Sequence, residues 1–600
     1  MCGIIAIVGK NLKSFDDKKI QAMLIPLSKR GPDDQGNIRF GDKNNPTCIL
    51  GQTRLSIIDL SGGHQPMKDN YKNIAITFNG EIYNYQELKK ELERLGHNFS
   101  TRSDTEVILK AYIEYGQECP KYLDGMFAFV IWDQDKNRLF MARDRFGKKP
   151  LYYAFDEQGN IIIASEIKAI FAGGVKGKVD PMAIDNYLAL TYIPPWKTIY
   201  SNIKTLPPAY YAMWSNNQIL IDKYWQLKKQ SLRVGYQEAK SQIKYLFDQS
   251  IKKRMIADVE IGALLSGGVD STLITAYAHK YSTKPIKTFS VGYGNLINEL
   301  PYAKQASEKI KTDHYTLQAS PDLTHELENV IEYMDEPHSS SSNFPQHLVS
   351  RLASSKVKVA LSGDGADELF MGYGWYSKYW NTNKITRLKN IIFSNQFKEY
   401  LKYITVFPKA ERKKLLKNKC AVNDDIMDKS IDSVRGCIDK INIFDLTTYL
   451  PGQLLVKVDR TSMMNSLEVR CPFLDYKLAE YVYNIPQEFK MNRKTGKIIL
   501  KDILAEIMPK EFVYRKKQGF GAPILDWLKT EKIEAFVRQN LARGANIYHY
   551  INEKPVQKLL ELFYSNKSKK ITKEDKIFDK IWNLLCLELW LKSHKKYYAE

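Results

Sequence analysis

Cysteine is scarce in this chain, with 7 residues in 600. They are Cys2, Cys48, Cys119, Cys420, Cys437, Cys471 and Cys586, scattered and never spaced as C-x-x-C. That spacing argues against a disulfide framework or a zinc site and points to a reducing, cytoplasmic setting. Long apolar runs are also missing. No stretch approaches the roughly 18 residues of a membrane span, so no membrane partner is expected. A basic segment followed by an apolar core, the mark of a secretory signal, is absent from the N-terminus. Acidic residues fall short of basic ones, 68 against 89, leaving a formal net charge of +21. The excess is mostly lysine, spread along stretches such as Lys384–Lys419 and Lys567–Lys576. Such stretches read as solvated helix faces. No aromatic–basic module of an RNA reader accompanies them, so nucleic acid is not the expected partner. Internal repeats and long low-complexity tracts are lacking too.

What is present is a long chain with an ordinary core supply. Six hundred residues imply two large domains, by the soft rule of roughly 150 residues per domain. Up to about residue 210 the pattern is short strands: Ile4–Val8, Ile49–Leu50, Ile74–Phe78, Met126–Trp132, Leu139–Arg143 and Ile161–Ser165. Helical spacing falls near Phe15–Ser28, Tyr85–Leu95 and Asp104–Tyr115. A Pro-rich crossing from Ile193-Pro194-Pro195 to Leu206-Pro207-Pro208, then Lys223–Val234, reads as the connection. The boundaries expected are 1–213, a linker 214–235, and 236–600. From 236 strands alternate with helices: Val259–Leu265, Ser271–Tyr281, Ile286–Val291, Pro301–Lys311 and Val357–Leu361. That alternation predicts a parallel sheet covered by helices, and the Lys-rich chain beyond about 375 reads as mostly helical.

Cys2 follows Met1 directly. Loss of Met1 leaves an α-amine titrating near ~7.7–8.0 beside a thiol near ~8.5, a nucleophile that carries its own base. Three further segments have both a plain and a chemical reading. Arg54, in Gln52–Asp59, is a surface pair or a two-bond clamp for a carboxylate. Asn79-Gly80, in Phe78–Asn84, is a hairpin turn or an oxyanion site built from a side-chain amide and a backbone N–H. Ser103-Asp104-Thr105-Glu106 is a helix capping box, or places Asp104 to bind an ammonium group.

Taken together, Cys2-Gly3-Ile4, Arg54-Leu55-Ser56-Ile57, Phe78–Asn84, Ser103–Glu106 and Ala142-Arg143-Asp144-Arg145-Phe146-Gly147 resemble the class II glutamine amidotransferases. The resemblance implies an N-terminal-nucleophile αββα sandwich, two antiparallel sheets stacked between helices. It implies that Cys2 attacks the glutamine amide, that a thioester forms and ammonia leaves, and that water then frees glutamate. By the same resemblance Arg54, with Leu55, Ser56, Ile57 and Ile58, holds glutamine by its carboxylate. Asp104 holds its amino group, Asn79 and Gly80 form the oxyanion hole, and Glu81 belongs to the same segment. Two positions depart from the pattern: Gln52 replaces a frequent His and Lys148 a frequent apolar residue. They are expected at the rim of the site or along the path for ammonia.

The second half carries Leu265-Ser266-Gly267-Gly268-Val269-Asp270-Ser271 between an expected strand and an expected helix. Backbone N–H groups at such a helix start favour an anion, and glycines let phosphate approach. Ser266 and Ser271 add hydroxyls, and Asp270 suits Mg²⁺. The pattern is not G-x-x-x-x-G-K-[ST], so a kinase-type loop is disfavoured. No His–Cys cluster has ligand spacing, so any metal is expected to arrive with the nucleotide. A second acidic run, Ser362–Glu368, follows an expected strand and fits metal binding or a helix cap.

Leu265–Ser271, Phe289-Ser290-Val291-Gly292, Ser362–Glu368, Ser466-Leu467-Glu468-Val469-Arg470, Pro472-Phe473-Leu474-Asp475 and Lys497–Lys501 resemble glutamine-hydrolysing asparagine synthetases. The likeness runs nearly end to end and is weakest across about 380–440. It implies an α/β ATP-pyrophosphatase-type domain with a helical C-terminal part. It implies ATP as substrate, Mg²⁺, an acyl-adenylate, and release of AMP and pyrophosphate. Leu265, Val291, Ser362 and Gly363 are then nucleotide contacts, and 266–271, Val269 included, holds pyrophosphate. Asp270 and Asp367 are metal ligands, while Asp364 and Lys497 act at the adenylate. The acceptor is expected along Asp335–Asn343, where Ser340 replaces a frequent Asp; Ala366 replaces a frequent Gly nearby. Aspartate is the expected acceptor, and sugar acids, cell-wall peptides or natural-product precursors are the alternatives. An internal ammonia tunnel from Cys2 to the Asp364–Lys497 site is expected, and a homodimer is a candidate assembly.

Overall fold

The computed structural model describes residues 1–42, 46–69, 72–215, 218–293, 299–319, 324–380, 395–418, 422, 426–427, 429–515, 521–565 and 576–598. Cys420, most of the expected Lys567–Lys576 face and the start of Lys384–Lys419 lie outside the described residues.

Two six-stranded antiparallel sheets form the N-terminal half. The first runs, edge to edge, Ile203–Thr205, Tyr152–Phe155, Ile161–Ala164, Cys2–Val8, Pro46–Arg54, Asp34–Gly41. The second runs Gln218–Lys223, Tyr210–Ser215, Arg138–Arg143, Gly125–Asp133, Ile74–Ile82, Met67–Lys68. Side chains alternate across each strand. Ile4, Ala6 and Val8 meet Ala75, Ala128, Val130 and Trp132 between the sheets. Ile5 and Ile7 turn the other way, onto Ile20, Leu24 and Ile170 of two helices. Phe78, Phe127 and Phe129 likewise face Val107, Ile108 and Leu88. The result is helix, sheet, sheet, helix, the αββα sandwich expected from the sequence. Strand Gln218–Lys223 pairs along Tyr210–Ser215, so the second sheet continues into the stretch read as linker.

The C-terminal half is built on a parallel sheet ordered Asp313–Gln318, Lys287–Gly292, Ile261–Leu264, Val359–Leu361, Glu468–Arg470. Helices Tyr236–Arg254, Val269–His279, Leu300–Ile310 and Asn343–Ser354 cover it. The chain leaves Ile261–Leu264 toward one neighbour and later returns on the other side. That reversal opens a crevice outside the carboxyl ends of the strands, the usual place for a ligand in such sheets. The described remainder is mostly helical, as expected. It includes a π-helical segment, Asp445–Leu454, with Pro451 inside it.

Candidate active sites

Two centres are separated by the seam between the sheets. At the first, Cys2 opens its strand and is 5% exposed. Its N–H donates to Asn79 Oδ1 at 3.0 Å and its carbonyl accepts from Arg30 Nε at 3.1 Å. Burial pushes the Cys2 thiol up; the Met1 ammonium, the Leu55 backbone, Arg54 and Gln52 pull against that rise. Asn79 and Gly80 lie in the middle of Ile74–Ile82, so they are no hairpin turn. Gly80 has φ +151°, and a Cβ there would meet Met126 O at 2.0 Å. The strand therefore needs glycine where it passes the thiol. Asn79 Nδ2 is buried without a hydrogen-bond partner among the described residues. Leaving such a donor unmet costs about 1–3 kcal/mol, so an acceptor oxygen placed there would be favoured.

The surrounding groups divide sharply. Ser103 caps the Asp104–Tyr115 helix through Thr105 N, and Glu106 accepts from Ser100 N and Thr101 N. Asp104 is thereby free of the cap and accepts from Ile82 N at 2.9 Å. Burial, with Glu468 adding, raises its carboxyl to about 6. Burial, then Glu468 and Asp104, pushes Glu81 well above the usual carboxylate range. Arg54 is buried and donates to the carbonyls of Ile58, Asp59 and Leu60 at 2.8–3.3 Å, so its fork is turned into its own loop. Leu55 N donates to Met1 O, whereas Ser56 N is bonded to Asp33 and Ile57 O to Asp258 N. Gln52 is not at a rim. It is wholly buried, accepts from Thr77 Oγ1 at 3.0 Å and donates to Phe78 O at 3.1 Å, bracing the two strands under Cys2. Lys148 is also buried rather than at a rim. Its ammonium donates to Leu474 O of the other half at 3.3 Å, and burial lowers it to about 8.

The second centre is a cavity of about 1360 Å³ at the carboxyl ends of the parallel strands. It gathers Leu265, Ser266, Gly267, Gly268, Val269, Asp270, Ser271, Val291, Ser362, Gly363, Asp364, Asp367 and Lys497, all expected from the sequence. Gly267 has φ +74°, and a Cβ there would meet Tyr302 C and Ala303 N at 2.5 Å. Ser266 N donates to Ser271 Oγ at 3.2 Å, closing the loop upon itself. The Lys497 ammonium lies between Asp270 Oδ2 at 2.6 Å and Asp367 Oδ1 at 2.8 Å. Burial opposes its charge, but the two carboxylates outweigh that and raise it. Paired aspartates beside a phosphate-type loop are the hard oxygen donors that Mg²⁺ takes together with substrate phosphates. Among the described residues no group of three or more His, Cys, Asp or Glu would hold an ion unaided. The donor set fits a cation that shares its ligands with a nucleotide.

The expected acceptor stretch is split. Ser339–Ser342 line the cavity. Asp335 and Glu336 instead enter the seam, where Asp335 pairs with Arg460 at 2.8 Å and Glu336 accepts from Ile199 N and Tyr152 OH. Sequence reasoning missed several groups. Lys457 Nζ faces Asp364 at 3.8 Å, and Arg515 donates to Gly267 O at 2.8 Å. Arg30, beneath Cys2, pairs with Asp459 and Glu166 at 2.8 and 2.9 Å. Among lysine-rich neighbours these residues carry no local signal. Lys457, Asp459 and Arg460 share one helix, Leu455–Met463, so one element touches Asp364 on one side and Arg30 on the other.

The fold and the two centres define an amidotransferase unit joined to a nucleotide-binding ligase unit. Residues 1–225 match a family model described as a glutamine amidotransferase domain, and 242–592 match the asparagine synthase model. Asparagine synthetase [glutamine-hydrolyzing] 1 of Bacillus subtilis is 31% identical, covering 100% of this chain and 98% of its own length. Asparagine synthetase [glutamine-hydrolyzing] 3 of the same organism is 32% identical over 94% of this chain and 93% of its own. A putative asparagine synthetase of Methanocaldococcus jannaschii is 33% identical over 79% of this chain and all of its own. The chain belongs to the glutamine-hydrolysing asparagine synthetase family, and is thus a carbon–nitrogen ligase.

Proposed function

We propose that this enzyme takes ammonia from glutamine at Cys2 and uses it to convert aspartate to asparagine through an acyl-adenylate, giving AMP, pyrophosphate and glutamate. The observation that carries the reading is the Leu455–Met463 helix, which reaches both centres. Loss of Met1 frees the Cys2 amine to take the thiol proton. The thiolate attacks the glutamine amide carbon, and Asn79 Nδ2 and Gly80 N–H face the developing oxyanion. Ammonia leaves, and water releases glutamate from the thioester. In the cavity the acceptor carboxylate attacks the α-phosphorus of ATP, with Lys497 beside the charge that develops. Ammonia then displaces AMP from the acyl carbon, and Asp364 is placed to take the proton released. Asp270 and Asp367 are the residues to hold Mg²⁺, which when bound neutralises charge on the leaving pyrophosphate.

The units we propose are a glutaminase of 1–213 completed by its last strand, and a synthetase of 236–600. Among the described residues no helix is long and apolar enough to cross a membrane, and the cytoplasm is the proposed working place. A second reading keeps the chemistry and changes the acceptor. It rests on Ser340, whose hydroxyl meets Ser342 Oγ at 2.9 Å where a carboxylate is needed to hold an amino-acid ammonium group. The deciding experiment follows pyrophosphate release with ATP, Mg²⁺ and glutamine, with and without aspartate, and weighs asparagine by mass. Aspartate-dependent pyrophosphate matched by asparagine is the expected result. Glutamine hydrolysis without it transfers the assignment to another carboxylate.

A further inference from the structure

The strand Glu468–Arg470 is the outermost of the parallel sheet, yet its side chains end at the glutaminase centre. Glu468 Oε2 accepts from the Met1 ammonium at 3.1 Å. Arg470 Nε donates to Glu468 Oε1 at 2.7 Å, and Arg470 Nη2 lies 3.6 Å from Glu81 Oε2. All of these side chains are buried. Glu81 Oε2 makes no hydrogen bond among the described residues. Three carboxylates, Glu81, Asp104 and Glu468, thus face one region. Among the described residues the cations ion-paired with them are Arg470 and the Met1 ammonium. Once Met1 is removed, as the reading of Cys2 requires, Glu468 Oε2 loses the ammonium it holds, and the new α-amine lies one residue further on, at Cys2 N beside Asn79 Oδ1. A buried Glu468 carboxylate left with Arg470 alone favours a ligand cation in the vacated place, because an underpaired buried charge is unfavourable. The Met1 ammonium stands in for it: a primary ammonium on the residue next to Cys2, 3.1 Å from Glu468 Oε2, and glutamine also carries a primary ammonium.

We propose that Glu468, supplied by the synthetase sheet, is a substrate-binding residue of the glutaminase centre that receives the α-ammonium group of glutamine together with Asp104. The amide-hydrolysing site is then complete only when the two sheets are docked. The same strand also borders the other centre, since the carbonyl of Arg470 accepts from Ser362 N at 2.9 Å, where the Ser362–Glu368 loop begins. The inference rests on the glutaminase reading of Cys2.

The test compares kcat/KM for L-glutamine and for 4-carbamoylbutanoate, which is glutamine without its amino group, in the wild-type enzyme and in Glu468→Gln. Losing a charge-assisted hydrogen bond of this kind lowers kcat/KM for glutamine by about 10- to 100-fold. The preference for glutamine over the deaminated amide is expected to collapse by the same factor. Glu468→Asp keeps the charge one methylene away and carries the same comparison, with a smaller factor, if the Gln variant does not fold. A purely structural Glu468 lowers both substrates alike and leaves their ratio standing, which overturns the inference. Wild-type enzyme that hydrolyses no glutamine defeats the reading of Cys2 and this inference with it. Hydrolysis with an unmoved ratio defeats this inference alone.

Discussion

The two centres are built in opposite ways. The glutaminase centre is a buried seam between inner strands of the two sheets, where Cys2, Asn79, Gly80 and Glu81 are all but closed off from solvent while Asn79 Nδ2 and Glu81 Oε2 have no hydrogen-bond partner among the described residues. The synthetase centre is a cavity of about 1360 Å³ rimmed by loops. The first has one small amide to recognise and a reactive thiol to shield. The second, on the proposed reaction, must admit a nucleotide and an acceptor and let pyrophosphate leave. A closed centre can therefore fix charges permanently, whereas the open one holds its ligand groups in a provisional pair, with Lys497 between Asp270 and Asp367.

The largest expected effect separates the centres outright. In Cys2→Ala the ratio of glutamine-supported to ammonia-supported amide formation falls by about 10³-fold or more, as for loss of any covalent nucleophile. An unchanged ratio breaks the comparison. On the open side, Lys497→Ala leaves Asp270 and Asp367 facing each other without their cation. Acceptor-dependent exchange of pyrophosphate into ATP is expected to drop about 10²- to 10³-fold, the effect of losing a preorganised electrostatic group.

Legibility followed the same division. The synthetase loops were readable because each is contiguous and follows a strand: Ser266–Ser271 after Ile261–Leu264, and Ser362–Glu368 after Val359–Leu361. The two layers of the N-terminal half were readable from short alternating strands. Asn79-Gly80 was a different matter: the residues allowed a hairpin or an oxyanion site, the resemblance favoured the second, and the structure shows a strand in place of the hairpin. Gln52 and Lys148 were read at the rim or along the path for ammonia, and burial excludes only the rim; nothing local reveals that a polar residue will be bonded to a chain segment far away. Arg30 and Asp459 escaped notice for that reason, and Glu468, quoted within a family motif, was given no role. Their roles exist only once residues separated by more than four hundred positions are joined, as Arg30 is to Asp459.

That seam supplies the intermediate effects. Arg30→Met leaves Asp459 and Glu166 buried without their shared guanidinium. Breaking a buried ion pair costs about 3–5 kcal/mol, to be read as a lower denaturant midpoint. The same variant is expected to waste glutamine, yielding more glutamate per amide formed. A pH profile sharpens the picture of the closed centre. Burial raises Asp104 to about 6, so it is ionised above that value and neutral below it. Because holding an ammonium needs the ionised form, protonation of Asp104 adds a fall of about tenfold per unit in kcat/KM for glutamine below about pH 6, beyond the fall that protonation of the Cys2 amine brings below about 8. A profile with no added fall down to pH 5 removes Asp104 from that role.

The smallest effect concerns Lys148. Burial depresses its ammonium to about 8, so below that pH the fold carries a desolvated charge that the unfolded chain does not. Its penalty is present at pH 7 and relieved as pH rises from about 8 toward the ordinary lysine value. Lys148→Met is expected to stabilise the protein by about 1 kcal/mol at pH 7, with the gain shrinking in alkali. Thermal unfolding at pH 7 and pH 10 checks the sign.

The Leu455–Met463 helix and its neighbours are proposed to make one enzyme of two centres, with ammonia passed between them. Amide-¹⁵N glutamine supplied with an excess of unlabelled ammonium tests it most directly, with the ¹⁵N content of the amide product read by mass. Product that keeps the glutamine label whatever the external ammonium concentration is the predicted result. Product whose label is diluted to that of the bulk ammonium contradicts the claim.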